Sequence, residues 1–220
     1  ICLAADGPIA KKPHNMSYEE AAVIPTGGIN ALHFLQKGSI QPGEKVLING
    51  AAGSIGTIAV QIAKSMGAEV TVVDSTDKLP MLQSIGADHV IDYTKQDFTK
   101  NGQMYDVIFD VVGKSPYGPS LKSLNPKGRY LLGNTKFPQM LRSAWTNRTG
   151  DKKVTFAFAE PTTEKLNALT TLIEAGKVKA VIDRRYTLEQ MVEAHRYVDS
   201  GQKTGHVVVS VGHGGVGAGG

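Results

Sequence analysis

The residues best suited to chemistry form a run of small amino acids, Ala51-Ala52-Gly53-Ser54-Ile55-Gly56, shortly after the apolar residues 46–48. Such a run between a strand and a helix predicts a turn that binds phosphate groups, through its backbone N–H groups and the positive end of the helix dipole. Gly53 would let a pyrophosphate approach the backbone, and Gly56 would let the helix pack closely on the strand. The chemistry predicted here is the binding of a nucleotide diphosphate.

The same run permits a second interpretation. Ala51 occupies the first glycine position of the GxGxxG pattern, which weakens the match. The alternative is a plain strand-to-helix turn in which the small residues serve only packing. The apolar run before the turn and the helical pattern after it favour nucleotide binding, because the pattern is informative only between those two elements.

Asp74 is the next candidate, because it ends the second predicted strand, about 20 residues after the turn. A carboxylate there accepts hydrogen bonds from the 2′- and 3′-hydroxyls of a ribose and repels a 2′-phosphate, so Asp74 favours NAD. A class I methyltransferase also combines a glycine turn with an acidic residue at the end of its second strand. S-adenosylmethionine is therefore an alternative ligand.

The elements that position these residues alternate along the chain. Ser17 and Glu20 form a capping box that predicts a helix beginning near Tyr18, interrupted at residues 25–28 and resumed over 29–36. Later patterns predict strands at 70–73, 89–91, 107–110, 129–132 and 154–158, and helices near 78–85, 117–124 and 136–145. Six strands with crossover helices predict an α/β fold, a doubly wound parallel Rossmann sheet with flanking helices.

The pattern changes in the last quarter of the chain. It predicts a helix from residue 162 to near Gly176, the segment 181–186, a helix over 188–199 and a strand over 207–209. Residues 212–220 are so rich in glycine that they predict a disordered tail. The chain opens without Met, on residues that resemble the interior of a polypeptide, and we interpret it as a fragment.

Composition excludes several classes of protein. The net charge of +4 is too small and too dispersed to predict a nucleic-acid partner. Cys2 is the only cysteine, so the chain forms no internal disulfide and no cysteine-based metal site. Because disulfides are typical of oxidising compartments, a cytoplasmic location fits best. No apolar run approaches the roughly 20 residues of a membrane span, so we predict no membrane partner. His14, His33, His89 and His195 lack metal-ligand spacing, so we predict no metal site.

Five segments together carry a family resemblance: LINGAAGSIG, GADHVIDYTKQDF, YDVIFDVVGK, GRYLLGN and VIDRRYTLEQMVEAHRYVDSGQKTGHVVV. They resemble the zinc-independent medium-chain dehydrogenase/reductases, in particular the quinone oxidoreductase group. The resemblance implies that most of an N-terminal GroES-like catalytic domain is missing. It also implies the domain limits: the end of that domain at 1–22, a Rossmann domain at 23–180, a return segment at 181–211 and the tail.

The resemblance implies a reaction in which NAD(P)H transfers a hydride to a quinone or an α,β-unsaturated carbonyl. A reaction of the alcohol dehydrogenase type is also implied. No residue of this chain is a secure proton donor, so no catalytic residue is assigned and the fragment alone is expected to be poorly active. A non-catalytic NADP-binding or sensor protein is an alternative. Thr26 occupies the place of a zinc-ligating cysteine in zinc-dependent relatives, and threonine is a poor ligand, so no zinc is expected.

The resemblance also implies roles for other residues. Relatives hold the 2′-phosphate of NADP with residues equivalent to Ser75, Thr76 and Lys78, so NADPH is favoured over NADH, against the argument from Asp74. The remaining cofactor-binding candidates are Tyr93 at the adenosine end and, near the nicotinamide and its ribose, Asn30, Val111, Val112, Leu132, Gly133 and Asn134. The apolar residues 154–159 predict an exposed sheet edge through which a homodimer would form.

Overall fold

The computed structural model of the protein describes residues 7–135 and 137–211. The strands are β1 (Lys45–Asn49), β2 (Glu69–Asp74), β3 (His89–Asp92), β4 (Tyr105–Asp110), β5 (Leu124–Leu132), β6 (Lys153–Phe156), β7 (Ile182–Thr187) and β8 (His206–Ser210). The α-helices are α1 (Tyr18–Gly38), α2 (Ser54–Ser65), α3 (Leu79–Ser84), α4 (Tyr117–Lys122), α5 (Phe137–Thr149), α6 (Thr163–Glu174) and α7 (Met191–Asp199). Short 3₁₀ helices cover Thr76–Lys78, Phe98–Lys100 and Leu188–Gln190.

The large sheet has the strand order β3-β2-β1-β4-β5-β6, and all neighbouring strands are parallel. This confirms the predicted doubly wound α/β fold, in which the strand order reverses between β1 and β4. Side chains of β1 alternate between two hydrophobic clusters, with Val46 and Ile48 on one face of the sheet and Leu47 on the other. The run of apolar residues in β1 follows from this, because helices cover both faces.

Helix α1 continues through residues 25–28, so the predicted interruption at Pro25 is wrong. The glycines in this region serve packing. A Cβ on Gly27 would lie 2.5 Å from the Ser54 carbonyl oxygen, and one on Gly28 would lie 2.9 Å from a methyl group of Leu169. Their small size lets α2 and α6 approach α1, and that tertiary packing offsets the helix-breaking tendency of the local sequence.

Two other predicted boundaries differ from the structure. Strand β5 begins at Leu124 and not near residue 129, because the turn-like segment 125–128 forms an irregular strand in which Lys127 has φ of 62°. Strand β6 ends at Phe156, two residues earlier than predicted. Phe156 pairs with Leu132, the last residue of β5, so β6 has no partner beyond that point.

The last part of the chain follows its prediction, since α6, β7, α7 and β8 all form at the expected places. Strands β7 and β8 pair in parallel as a separate two-stranded sheet that packs on α1. None of the helices within 7–135 and 137–211 is long and apolar enough to cross a membrane. The predicted tail at 212–220, the start of the chain and Cys2 lie outside the described residues, and the domain limits stay a prediction.

Candidate functional site

A cavity of about 680 Å³ opens at the carboxyl ends of β1, β2 and β4. This is the edge of a parallel sheet at which ligands bind. Five of the predicted cofactor-binding residues line it: Gly53, Asp74, Lys78, Tyr93 and Val112. The other lining residues are not among the cofactor-binding residues predicted from the sequence. They are Asn49, Gly50, Val73, Gln96, Asp97, Phe98, Lys114, Ser115, Pro116, Val198, Gly201 and Lys203.

The 51–56 turn leads directly into α2. Gly53 is the N-cap, no side chain caps the helix, and the first turn contains no acidic residue. The first N–H groups of a helix lack an intrahelical acceptor, so this end presents free donors and a positive dipole. A Cβ on Gly56 would lie 2.4 Å from the Ala51 carbonyl oxygen, whereas the nearest atom to a Cβ on Gly53 is 3.8 Å away. Gly56 therefore serves packing, and Gly53 leaves space open above the turn.

Asp74 ties this turn to the end of β2. One carboxylate oxygen accepts a hydrogen bond from the backbone N–H of Ala52 at 2.8 Å, and the other accepts one from the N–H of Ser75 at 3.0 Å. The side chain is buried but still lines the cavity. Because each carboxylate oxygen has two lone pairs, Asp74 retains the capacity to accept a ribose hydroxyl.

The hydroxyl groups next to Asp74 already have partners. Thr76 donates a hydrogen bond to Asp92, which also accepts from Thr94, and these bonds hold the pKa of Asp92 well below its usual range. A hydrogen bond from Ser75 likewise lowers the pKa of Asp77. A 2′-phosphate would have to displace these carboxylates to reach either hydroxyl. The ammonium of Lys78, which donates to the Gly201 carbonyl at 3.0 Å, is the remaining predicted donor at this end.

Lys203 brings a further cation to the cavity, which Lys78 and Lys114 also line. Its ammonium lies 3.0 Å from the Ser54 hydroxyl at the start of α2 and 2.8 Å from the Gly205 carbonyl oxygen. Burial, followed by repulsion from Lys78, lowers the pKa of Lys203. The segment before β8 is fixed on the turn because the Gly205 N–H donates to the Ala52 carbonyl at 2.6 Å. No spacing in the sequence indicates this contact, because it joins residues that are far apart in the chain.

A buried carboxylate organises the opposite side of the cavity. Asp110, fully buried at the end of β4, accepts hydrogen bonds from the Asn49 amide at 3.0 Å, from the backbone N–H groups of Gly113 at 2.9 Å and Ser115 at 3.0 Å, and from the Tyr130 hydroxyl at 3.3 Å. Burial and the charge of Asp110 raise the pKa of Tyr130. These bonds fix the loop that carries Val111 and Val112.

The loops after β4 and β5 contact each other. Gly113 has φ of 68°, and a Cβ there would lie 2.1 Å from the Asn134 carbonyl oxygen. The Gly133 N–H donates to the Asp110 carbonyl at 2.9 Å. The structure therefore brings together the two strand ends that were predicted to flank the nicotinamide, although Leu132, Gly133 and Asn134 do not line the cavity itself.

Other predicted residues lie around the cavity but not on its wall. The Asn30 amide donates to the Thr26 carbonyl one turn earlier in α1 at 2.8 Å, which is an ordinary contact within a helix. Ala51 and Ala52 are buried within the turn, whereas Tyr93, one of the lining residues, is 61% exposed. The cofactor roles of these residues stay predictions.

Comparison with known proteins decides the family. A family model described as zinc-binding dehydrogenase matches residues 85–209. The chain belongs to this family of dehydrogenases. A second model, the C-terminal domain of alanine dehydrogenase/PNT, matches residues 27–113. The resemblance to medium-chain dehydrogenase/reductases is confirmed, and the six-stranded unit is their nucleotide-binding domain.

Individual proteins that are similar to this chain support the same family assignment. The chain is 32% identical to a 2-methylene-furan-3-one reductase of Solanum lycopersicum, over 91% of this chain and 49% of that protein. It is 30% identical to an NADPH-dependent alkenal/one oxidoreductase, chloroplastic, of Arabidopsis thaliana, over the same shares. The structure of the quinone oxidoreductase from Coxiella burnetii superposes with a TM-score of 0.83 at 26% identity, covering 92% of this chain and 64% of that one.

The dehydrogenase chain spans about half the length of the curated relatives it matches. Family membership and an all-parallel sheet remove the methyltransferase alternative. The description of the matching family specifies zinc. Within the part of the chain that the structure describes, no three His, Cys, Asp or Glu side chains converge in a way that could hold a metal ion. These residues by themselves do not fit a zinc site.

Proposed function

We propose that this chain is the cofactor-binding part of an NAD(P)H-dependent oxidoreductase that reduces a quinone or an α,β-unsaturated carbonyl. The observation that carries the proposal is the start of α2, where free backbone donors and the ammonium of Lys203 converge on one side of a cavity of about 680 Å³. Relatives whose names specify an enone, an alkenal or a quinone support the substrate class.

The proposed binding mode follows the cavity from the turn outwards. The diphosphate lies on the N–H groups of residues 53–56, next to Lys203 and Lys78, because the N–H groups of Ala51 and Ala52 already have acceptors. The adenosine ribose lies at Asp74 and the adenine near Tyr93, and the nicotinamide extends towards the loops after β4 and β5. The bound cofactor supplies the hydride, and the described residues bind and orient it.

NADPH is the proposed cofactor in preference to NADH. Lys78 lies at the ribose end of the cavity, and one relative is named as NADPH-dependent. Asp74 argues for NADH, because its carboxylate can still accept a ribose hydroxyl besides the two backbone hydrogen bonds. Isothermal titration calorimetry of the chain with each reduced cofactor tests the proposal. We expect NADPH to bind at least fivefold more tightly, and tight NADH binding without NADPH binding would contradict this preference.

Failure to bind either cofactor would contradict the proposed function itself. Activity is a separate measurement, because the chain covers only part of its relatives. We expect slow or no quinone reduction by the 220 residues alone and NADPH-dependent reduction by a longer protein that includes a GroES-like domain. Cofactor binding without activity in that longer protein would favour the non-catalytic alternative.

We also propose that the reaction needs no zinc, since Thr26 stands at the expected place of a ligating cysteine. Elemental analysis of the longer protein tests this, and one zinc per chain would contradict it.

A cytoplasmic location and a homodimer formed through β6 belong to the same proposal. β6 is an edge of the six-stranded sheet, and a second copy would pair with its backbone groups other than those of Val154, which already bind the Asn147 side chain. A monomer in analytical ultracentrifugation would contradict the dimer.

A further inference from the structure

Helix α5 turns its apolar side towards solvent. Phe137, Leu141 and Trp145 are 72%, 62% and 71% exposed, and their spacing of four residues places them in one stripe along the helix. The only buried residue of α5 is Ser143. A surface helix normally buries its apolar face against the core, so the orientation of α5 is the reverse of the usual one.

Polar contacts hold α5 in this orientation. The Asn147 side chain donates to the Val154 carbonyl at 2.9 Å and accepts from the Val154 N–H at 2.7 Å. The hydroxyl groups of Tyr117 and Thr146 share a hydrogen bond of 2.9 Å. These bonds attach the helix to β6 and α4, so the apolar stripe takes no part in docking α5 and is available to a partner.

The stripe lies away from the segment that returns at the end of the chain. Tyr117, which contacts α5, packs with the cluster on one face of the large sheet, whereas the residues of α1 pack with the cluster on the other face. The β7–β8 sheet is attached to α1, where the Ser210 hydroxyl donates to Glu19 at 2.7 Å. The segment 181–211 therefore does not cover the stripe.

Basic residues lie on α5 and directly after it in the sequence. Helix α5 contains Arg142 and Arg148, both exposed, and no acidic residue. Lys152 and Lys153 follow it, with Asp151 as the only nearby acidic residue in the sequence. A second copy of the chain would present the same sign of charge, which opposes self-association through this surface, whereas an anionic surface would be attracted.

We propose that α5 binds the protein peripherally to a membrane surface that contains anionic lipids. The aromatic and leucine side chains would enter the boundary between headgroups and acyl chains, while the arginines would contact lipid phosphates. From the sequence we predict no membrane partner, because no apolar run is long enough to span a bilayer. A helix that lies in the plane of the interface needs no such run.

Trp145 is the only tryptophan of the chain, so its fluorescence reports directly on the stripe. We expect vesicles of phosphatidylglycerol to shift its emission to shorter wavelength and to sediment the chain. Vesicles of phosphatidylcholine, or high salt, should reduce binding at least tenfold. The double variant Phe137→Ser with Leu141→Ser should lose at least tenfold in vesicle affinity. Val192→Ser, which alters another side chain that is 61% exposed, should bind as the unaltered chain does.

Two results would overturn the proposal. The first is unchanged Trp145 emission and no sedimentation with phosphatidylglycerol vesicles, in a chain whose circular dichroism shows that it is folded. The second is a shift that depends on protein concentration without lipid, which would assign the stripe to a second copy. Neither result bears on cofactor binding, which is measured without vesicles.

Discussion

The backbone N–H of Ala52 donates a hydrogen bond to the carboxylate of Asp74 at 2.8 Å, and so the end of β2 fixes the shape of the 51–56 turn. The second oxygen of Asp74 accepts from the Ser75 N–H. Each carboxylate oxygen accepts a hydrogen bond from a backbone N–H. An asparagine side chain at this position would have only one oxygen and could therefore accept from only one of the two N–H groups. The same carboxylate therefore determines the stability of the turn and the charge at the proposed ribose site.

We expect Asp74→Asn to lower the free energy of unfolding by about 1–3 kcal/mol, because one buried backbone donor would lose its acceptor. Loss of the negative charge should also move cofactor preference further towards NADPH. Urea unfolding and calorimetric titration measure the two effects. Asp199→Asn, an exposed acidic residue on α7, is the control and should change neither. Unchanged stability in Asp74→Asn would refute the anchoring role.

Two glycines of the turn should respond differently to the same substitution. An added methyl group on Gly56 would lie 2.4 Å from a backbone oxygen, so Gly56→Ala should destabilise the fold by more than about 2 kcal/mol. The methyl group of Gly53→Ala meets no atom closer than 3.8 Å and requires no unusual φ. We expect this variant to keep its unfolding midpoint but to lose about tenfold in affinity for NADPH. Normal affinity would show that the diphosphate binds elsewhere.

Lys203 and Lys78, two of the three lysines that line the cavity, should have separable effects. Lys203 lies at the start of α2, where the diphosphate common to both cofactors is proposed to bind, so Lys203→Met should weaken NADPH and NADH binding by similar factors of about ten. Lys78 lies nearer the ribose end, so Lys78→Met should weaken NADPH more than NADH. Lys122→Met, an exposed lysine on α4, is the matched control. Equal losses for both cofactors in Lys78→Met would contradict its assignment to the 2′-phosphate.

The sequence predicted the sheet, the turn and Asp74 because these depend on local patterns: apolar runs, small residues and their spacing. It could not predict Lys203, since the contact of that ammonium with Ser54 arises only when the segment before β8 packs on the 51–56 turn. The uninterrupted α1 was missed for the same reason. Pro25 and two glycines indicate a break locally, but packing against Ser54 and Leu169 decides the outcome.

His206 should make the stability of the fold depend on pH. Its side chain is buried, and Nδ1 lies 3.2 Å from the Val181 carbonyl, so Nδ1 carries the proton and Nε2 is buried with no partner among the described residues. Burial lowers the pKa of His206 below its ordinary value, so protonation is easier in the unfolded chain. The contribution of His206 to the free energy of unfolding is therefore fully present above the ordinary histidine pKa of about 6.5. It is lost as the pH falls below that value.

We expect the free energy of unfolding, measured in urea, to decrease between pH 7.5 and pH 5.5. His206→Gln should decrease less over the same interval, because glutamine does not titrate. His33, whose pKa burial also lowers, accounts for part of the remaining slope. His195→Gln alters an exposed side chain and should keep the pH dependence of the unaltered chain. An identical slope in His206→Gln would show that protonation of this residue is not coupled to unfolding.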